Sequence, residues 1–541
     1  MAKYDFLLKN GYVFDENKKD FISADVGIKA DKIKKIGKLE EKDAAETIDA
    51  SGKYVCPGFI DITNHSDTFW TLFSDPYQQS LLSQGITTIL GGNCGSSLAP
   101  LVSPRAIEGI QKWTDITKIN IDWQTVREFL KGLEKHKMGL NFATLVGHGT
   151  LRRGVIGNET RKASRPEMSE IKMLIEQAMR EGAFGLSFNL GAAHESGANE
   201  EELTAFSEIV KKNGGVAKHH LEDEGKNILP SIVHLINCAR HSGVKTHISH
   251  FKAIGKTAWD KFKESLFLIE NAIKDGAQFT LDVFPYNRTG SSLYSFLPEW
   301  VKRDGKEKIL DLIKNKEERK QIIEYFKSLT LHYDKITISA ALRDKNVLGK
   351  TIKQLSEETG LGSEEIILNL IDLNEINVSI FNEAIQENHI DELIKKPFVI
   401  IATDGAGYDI IKESGLRQTI DFNGPKDLKD YNLVHPRSFG SFPKALKNFA
   451  LDRSVITFGE AVFKMSSFPA KFLGLASRGC VRENYFADIS VINPYALAAK
   501  ADYENPFQLS SGVEFLFVSG EPAIKNGKFT FKRNGKVLRK K

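Results

Sequence analysis

The chain has 541 residues, which is longer than one compact core usually holds and predicts a large domain with one or two smaller parts. Hydrophobic residues make up 41% and charged residues 27%, values that exclude a disordered or collagen-like chain and fit a globular protein. The net charge is +4, and six of the basic residues lie in the last ten positions, so the body is nearly neutral. Because no basic stripe remains, we expect no nucleic-acid partner.

The opening residues lack the apolar run of a signal peptide, and no stretch reaches the roughly 18 to 20 apolar residues that span a bilayer. We therefore expect a cytoplasmic protein without a membrane partner. The four cysteines, Cys56, Cys94, Cys238 and Cys480, lie far apart in the sequence, which favours reduced thiols over a disulfide framework.

The two ends of the chain share one pattern. Residues 1–55 and 481–541 contain short β-prone runs separated by turn signals such as Asn10-Gly11 and Ser519-Gly520. We predict that these ends pair into one small β-sandwich.

Residues 56–480, between the two ends, contain eight short apolar runs, several of them separated by amphipathic helical stretches. The runs are VCPGFIDI, ITTILGGNC, NFATLVGH, AFGLSF, GVAKHH, VKTHISH, QFTLDVFPY and PFVIIATD. Such continuous runs are typical of strands buried on both faces. They predict an α/β fold, a (β/α)8 TIM barrel, with a mostly helical insertion at about 297–396 between strands 7 and 8.

The ends of these runs are rich in metal ligands, and in a TIM barrel the active site lies at the carboxyl ends of the strands. The runs end in Asn64-His65, Asn93-Cys94, His148, His219-His220, His250 and Asp404. Cys94, His220 and His250 form a set that leaves a tetrahedral Zn²⁺ one open position for water. A zinc-bound hydroxide would attack the substrate, with Asp404 as general base and acid.

Each of these residues also has a structural interpretation. A lone histidine at a strand end is more often a satisfied structural residue than a ligand, and Asp404 could cap a helix. His65 and His148 would support the ligands, face the substrate or be structural. Only one of His219 and His220 can point into the barrel mouth, because the side chains of a strand alternate between its two faces.

Nine sequence motifs carry a resemblance to a known family. They are PGFID near position 60, GITTILGGNCGSSLAP at 85–100, LVGHGTLR at 145–152, EGAFGLSF at 181–188, ISHFKAIG at 248–255, DVFPY at 282–286, HPRSFG at 435–440, and the terminal MSSFPAKFLGL and FADISVINP. In this order they resemble the N-acyl-D-amino-acid deacylases, the D-aminoacylase branch of the amidohydrolase superfamily. The resemblance runs nearly end to end, and GNCG and SHxK are specific to this branch.

The resemblance implies a zinc hydrolase that removes an acyl group from the nitrogen of a D-amino acid. Cys94, His220 and His250 would be the tight zinc ligands, and Asp404 the general acid and base. The alignment through Glu224-Gly225 favours His220 over His219 as the ligand.

The resemblance also assigns the groups that hold the substrate. The substrate carboxylate would be bound by Tyr286, by Ser291 or Ser292, and by Arg437, whose guanidinium matches a carboxylate bidentately. Arg437 could instead be a structural ion pair. Lys252 would meet an acidic substrate side chain, although a solvated lysine or a pair with Asp282 fits the sequence equally well.

Four features depart from the family pattern. Thr63 takes the place of the first His of the usual His-x-His motif, and a Thr hydroxyl is a poor zinc ligand, so a second metal site that includes His65 is weakened. We expect one tightly bound zinc per chain. Glu222 replaces a usual Arg near a ligand, and both the segment Asn189 to Ala198 and the long connection 408–432 differ from the family.

These departures leave three hypotheses. The first is a zinc-dependent N-acyl-D-amino-acid deacylase. The second is an amidohydrolase that acts on a cyclic amide of the hydantoin or dihydropyrimidine type, or on another N-acyl compound. The third is a non-catalytic scaffold homologue. The sequence leaves the oligomeric state, the acyl group and the preferred side chain open.

Overall fold

The structure is a computed structural model that describes residues 2–104, 106–107, 120–192, 194–302, 305–329, 331–411 and 432–541. The unusual connection at 408–432 lies mostly outside the described residues. No helix in the described ranges is long and apolar enough to cross a bilayer.

Strands from both chain ends join in one nine-stranded sheet. Its first part is β1 (Tyr4–Asp15), β2 (Asp20–Lys29), β3 (Lys32–Gly37), β4 (Ala44–Asp49) and β5 (Tyr54–Pro57). The C-terminal strands are β18 (Ile489–Ile492), β19 (Val513–Val518), β20 (Glu521–Lys525) and β21 (Lys528–Phe529). The two ends meet where β5 runs antiparallel to β18, with Val55 opposite Val491.

The two ends share a separate core, which contains apolar side chains of β1, β2 and β5 together with Ile489, Val491 and Phe517. The predicted pairing of the ends is therefore confirmed. The boundary predicted at residue 55 falls within β5, whose pairing with β18 extends to Pro57. The boundaries of 1–55, 56–480 and 481–541 otherwise stay a prediction.

The barrel strands follow the eight predicted runs in order. They are β6 (Phe59–Asp61), β7 (Ile86–Gly91), β8 (Asn141–Thr144) continued by β9 (Val146–Gly147), β10 (Gly185–Asn189), β11 (Val216–His220), β12 (Lys245–Ile248), β13 (Phe279–Val283) and β17 (Val399–Ile401). Neighbouring strands pair in parallel in two series, β6-β7-β8 and β9-β10-β11-β12-β13-β17. The last and first strands meet through a parallel bridge between Asn64 and Gly405. The predicted TIM barrel is thus confirmed.

Helices surround the barrel, and their ends are set by local sequence. Arg165–Glu181, for example, begins at a capping box of Ser164 and Glu167 and ends at Gly182, whose φ of 112° suits glycine. The other helices beside the barrel are Thr71–Ser74, Gln79–Leu82, Val126–His136, His148–Val155, Glu200–Lys212, Ile228–Ser242, Lys256–Trp259, Phe262–Lys274, Glu387–Lys395, Arg437–Lys444 with its π-helical continuation Ala445–Asp452, Phe458–Met465 and Ser467–Leu473.

The insertion before the last barrel strand begins earlier and is less helical than the sequence predicts. It contains the antiparallel sheet β14 (Arg288–Ser292), β16 (Val378–Glu383) and β15 (Ile336–Ala341), with β16 in the middle. Its α-helices are Glu299–Lys302, Gly305–Lys314, Lys316–Ser328, Ile352–Thr359 and Ser363–Leu373. A core of its own, including Ile322, Ile338 and Ile367, holds these elements together. β14 is missed by sequence reasoning because RTGSS has none of the apolar alternation of a half-buried strand.

Candidate active site

Three ligand-type side chains converge at the barrel mouth. Cys94 follows β7, His220 ends β11 and His250 follows β12, and one potential ligand atom from each lies within 4.8 Å of the other two. The Cys94 Sγ is 3.3 Å from His250 Nε2, and the two imidazole rings are 4.5 Å apart at 72°. Within the described ranges this is the single group of three such donors that could hold a metal ion.

The backbone is strained at this mouth. Cys94, His250 and Asp404 have φ values of 51°, 39° and 52°, a left-handed conformation that non-glycine residues seldom adopt. Gly92, with φ of 72°, allows the turn after β7, because a Cβ there would lie 2.1 Å from the carbonyl oxygen of Leu145. Such strain persists where the surrounding structure holds it and is typical of functional sites.

Strand alternation separates the two neighbouring histidines. His219 is 5% exposed and stacks on Phe188 at 4.5 Å, outside the donor group. His220 points toward Cys94 and His250, and Lys218, two positions earlier on β11, shares its face. His220 is therefore the member of the pair that faces the barrel mouth.

Two histidines at the barrel mouth each leave one ring nitrogen without a partner. The Nδ1 atoms of His220 and His65 are both buried, and neither one donates or accepts a hydrogen bond. A buried polar atom without a partner is costly in free energy, so such atoms call for an explanation such as an ion. One thiolate and two imidazoles are the ligand types that zinc prefers, so this set fits a zinc ion.

The electrostatics favour a thiolate at Cys94. Burial alone would raise the pKa of the thiol, but His250, together with contacts to His220 and His65, outweighs burial and holds the pKa well below its usual value. The thiolate is the form of cysteine that binds metals.

A carboxylate and a lysine support His250 from behind. Glu224 Oε1 lies 3.2 Å from His250 Nδ1 and accepts a hydrogen bond of 2.6 Å from Lys252 Nζ. Burial would raise the pKa of Glu224, but Lys252 and His220 lower it to about 2, so Glu224 is ionised. The partner of Lys252 is thus Glu224, and not Asp282 as one interpretation of the sequence suggested.

Asp404, after the last strand, lies between His65 and Arg437. Its Oδ1 is 3.1 Å from His65 Nε2, and its Oδ2 is 2.6 Å from Arg437 Nη1. Burial raises the pKa of this carboxyl, but Arg437 and His250 lower it more strongly and keep it well below its usual value. His65 Nε2 is in turn 4.0 Å from Cys94 Sγ, so Asp404 is linked to the donor set.

A buried polar network forms the floor of the site. Asp282, at 0% exposure, accepts hydrogen bonds of 2.7 Å from the backbone nitrogen of His250 and from His247 Nε2. The Thr63 hydroxyl also donates to Asp282, and Lys218 Nζ donates to the Thr63 hydroxyl at 2.7 Å. This network fixes the backbone that carries His250.

Two segments that carry predicted substrate residues lie beside Arg437, the first residue of its helix. Arg437 lies over the ring of Phe284, and its Nε is buried without a hydrogen-bond partner. The Tyr286 hydroxyl donates to the Pro436 carbonyl at 3.4 Å. Ser291 and Ser292 lie on β14, and a Cβ added at neighbouring Gly290 would be 3.6 Å from Arg437 Nη2.

His148, another predicted substrate residue, lies in a closed cluster. It is fully buried, its Nδ1 is 2.7 Å from Glu195, and its Nε2 is 2.9 Å from Glu202. Arg152 donates to both carboxylate oxygens of Glu202 at 2.6 and 2.8 Å. His148 is therefore left with no nitrogen to offer a substrate.

Glu222 turns away from the donor set. Its carboxylate lies 3.7 Å from His234 Nδ1, and its side chain is 54% exposed. The reversed charge at this position is therefore met by a surface histidine.

Sequence reasoning misses three side chains that support the site, namely Glu224, Asp282 and Lys218. Each was visible in the sequence, since Glu224 ends the segment after His220, Asp282 opens the DVFPY motif and Lys218 precedes His220 by two positions. The alternation of β11 is the signal that would have placed Lys218 inside the barrel.

Comparisons with known proteins agree with this architecture. Residues 46–216 match the model of the amidohydrolase family. The D-aminoacylase of Alcaligenes xylosoxydans xylosoxydans is 27% identical over 99% of this chain and 97% of its own length. The N-acyl-D-glutamate deacylase of the same organism is 26% identical over 96% of this chain and 93% of its own.

Solved structures give the same result. A D-aminoacylase structure superposes with a TM-score of 0.80 at 26% identity, covering 99% of this chain and 100% of that one. A D-hydantoinase from Thermus sp. has a TM-score of 0.53 at 15% identity over 99% of both chains, a likeness that concerns the fold alone. In motifs, sequence and fold, the chain is thus similar from end to end to D-aminoacylase.

Proposed function

We propose that this protein is a zinc-dependent hydrolase that cleaves the linear amide of N-acyl-D-amino acids to a carboxylate and a free D-amino acid. The observation that carries the proposal is the Cys94, His220 and His250 donor set, with the Asp404–Arg437 pair beside it. The relatives named D-aminoacylase and N-acyl-D-glutamate deacylase support the substrate class.

Cys94, His220 and His250 would hold one zinc ion per chain. The chemistry that zinc supplies in such a site is a lower pKa of bound water, to about 7, and polarisation of a carbonyl group. Glu224 and Lys252 orient His250 through its Nδ1, which directs Nε2 toward the Cys94 sulfur.

Asp404 would move the proton of the reaction. Its carboxylate is ionised in these surroundings and is linked through His65 to the donor set, so it can accept a proton from the attacking water. The same carboxyl can then pass the proton to the amide nitrogen, which leaves as an amine.

Arg437 would bind the substrate carboxylate. Its guanidinium has a fixed planar fork, its Nη1 pairs with Asp404, and its buried Nε lacks a partner, so the group has donors to share. Tyr286 and either Ser291 or Ser292 would complete this carboxylate site from the β13–β14 connection and β14. Lys252 would reach an acidic substrate side chain only by leaving Glu224, and in the present pairing it positions His250.

The test is hydrolysis of matched N-acetyl-D- and N-acetyl-L-amino acids by the zinc-loaded protein, followed as amine release. We expect turnover of the D series, with Arg437→Lys raising KM more than it lowers kcat because the bidentate contact is lost. A protein that leaves all linear D-amides intact but opens a hydantoin or dihydropyrimidine would overturn the substrate class. A zinc-loaded protein with no hydrolytic activity would favour the scaffold hypothesis.

A further inference from the structure

A buried lysine lies beneath the donor set. Lys218 is 1% exposed and projects from β11 on the same face as His220. Lysine is rarely buried to this extent unless its charge is paired. The proposed mechanism gives this residue no part.

Three groups surround the ammonium of Lys218 and fix its position. Nζ donates to the Thr63 hydroxyl at 2.7 Å and to the carbonyl oxygen of Ile62, and it lies 3.9 Å from Asp282. The Thr63 hydroxyl in turn donates a hydrogen bond to the Asp282 carboxylate. The ammonium, hydroxyl and carboxylate thus form one continuous chain of hydrogen bonds.

Thr63 is also the side chain that stands where the His-x-His motif has its first histidine. The backbone carbonyl of Thr63 accepts a hydrogen bond of 2.9 Å from the nitrogen of Asp404, so Thr63 borders the Asp404 and His65 side of the mouth. Lys218 is therefore hydrogen-bonded to Thr63, the residue that replaces a histidine and so weakens a second metal site. The buried lysine and the missing histidine thus lie in direct contact.

We propose that the Lys218 ammonium, held by Thr63 and Asp282, is a built-in cation that takes the place of a second metal ion and keeps the site mononuclear. The inference rests on the proposed zinc-dependent function.

The physical basis is like-charge repulsion in a buried site. A second divalent ion would draw on His65, Cys94 and Asp404, the remaining donors near Thr63. It would do so close to the ammonium, since Lys218 Nζ donates to the Thr63 hydroxyl at 2.7 Å and the Thr63 carbonyl accepts from the backbone nitrogen of Asp404. Thr63 adds no useful ligand in return.

The first test is metal counting on the wild-type protein. Metal-free protein is dialysed against increasing zinc up to a large excess, and zinc per chain is measured by mass spectrometry. We expect a plateau at one zinc and no loss of hydrolysis at the excess. A D-aminoacylase whose structure is solved has a binuclear centre with one-metal activation and second-metal attenuation, so the two proteins should differ here.

The second test restores the missing ligand with and without the lysine. At a zinc excess that loads one ion in Thr63→His, the double variant Thr63→His with Lys218→Met should bind two, because its affinity for the second ion should be roughly tenfold or more higher. The matched control is Thr63→His with Lys464→Met, which removes a lysine that is also buried and bonded to backbone carbonyls but lies elsewhere. This control should bind one zinc.

Two results would overturn the proposal. One is a wild-type plateau at two zinc ions, which needs no variant to fold. The other is an equal zinc count in Thr63→His and Thr63→His/Lys218→Met, with both proteins melting cooperatively. Failure of the proposed activity looks different, because it appears as absent turnover while the wild-type protein still holds one zinc.

Discussion

The barrel has two buried histidine clusters, one at the metal-donor set and one around His148. They differ in the partners of their ring nitrogens. At the mouth, Nδ1 atoms of His65 and His220 are buried without partners, and a thiol lies beside them. In the other cluster, His148 has a carboxylate on each nitrogen. Ring nitrogens are left unpaired in the first cluster, whereas both ring nitrogens of His148 are paired in the second.

The sequence alone gives no way to tell these clusters apart, since each begins as a histidine at a strand end. The difference lies in the partners, which come from distant segments. Glu195 and Glu202 close His148, while no acid covers His220 Nδ1. An unsatisfied histidine nitrogen that lies in a group of three ligand-type side chains, more than strand-end position alone, therefore marks the candidate metal centre.

The largest expected effect comes from removing the thiolate. Cys94→Ala should lose stoichiometric zinc and lower hydrolysis at least about a thousandfold, because a catalytic zinc site needs its three protein ligands. Zinc per chain and amine release measure the two effects. Cys56→Ala, the same change at a cysteine that is fully buried in β5, should keep both. Equal zinc content in the two variants would contradict this assignment.

The next effect concerns proton transfer. Asp404→Asn should keep zinc but lower kcat by about 10²- to 10⁴-fold, because the amide cannot take up the proton. Asp275→Asn, which changes an exposed carboxylate paired with Arg240, is the control and should leave kcat unchanged. A fully active Asp404→Asn protein would remove Asp404 from the mechanism.

A smaller effect is expected behind His250. Glu224→Gln should weaken zinc binding by about 10- to 100-fold, because the carboxylate that orients His250 is lost. Glu222→Gln, two positions earlier and facing His234, should bind zinc like the wild type. Competition with a chromophoric chelator measures both affinities, and a similar loss in both variants would refute the distinction.

Substituting His148 should lower the stability of the fold and leave the zinc content unchanged. His148→Gln leaves Glu195 and Glu202 short of a cationic partner and should destabilise the fold by about 3 kcal/mol. Thermal melting and zinc analysis of the same sample give the two readings. Loss of zinc together with unchanged melting would place His148 in the metal site after all.

The destabilisation caused by His148→Gln should also depend on pH, which distinguishes the His148 cluster from the metal-donor set. Burial lowers the pKa of His148, but Glu195 and Glu202 raise it above the usual 6.5, so its stabilising charge is present below 6.5 and is lost as pH rises through the raised pKa. Burial raises the pKa of Glu202, but His148 and Arg152 lower it below the usual 4.5, so its contribution is lost as pH falls through the lowered pKa. The melting difference between wild type and His148→Gln should therefore be largest between 4.5 and 6.5 and shrink on both sides.

Much of the fold was predictable because buried parallel strands leave a strong local signal. All eight apolar runs became barrel strands, and the strand-end rule led directly to Cys94, His220, His250 and Asp404. Hydrophobic periodicity does not report β14, a short polar strand held by its pairing with β16.

The supporting residues were harder to predict, since their roles depend on contacts between distant strands. Lys252 became the partner of Glu224, and Arg437 became the partner of Asp404, only when loops after different strands met at the mouth. Those pairings follow from three-dimensional proximity, which one sequence does not encode locally.

The most direct test of the central claim is zinc K-edge X-ray absorption on the purified wild-type protein. The account predicts one sulfur ligand at about 2.3 Å and nitrogen or oxygen ligands at about 2.0 Å, as Cys94, His220 and His250 require. A spectrum without a sulfur ligand, or with more than one, would contradict the proposed metal centre.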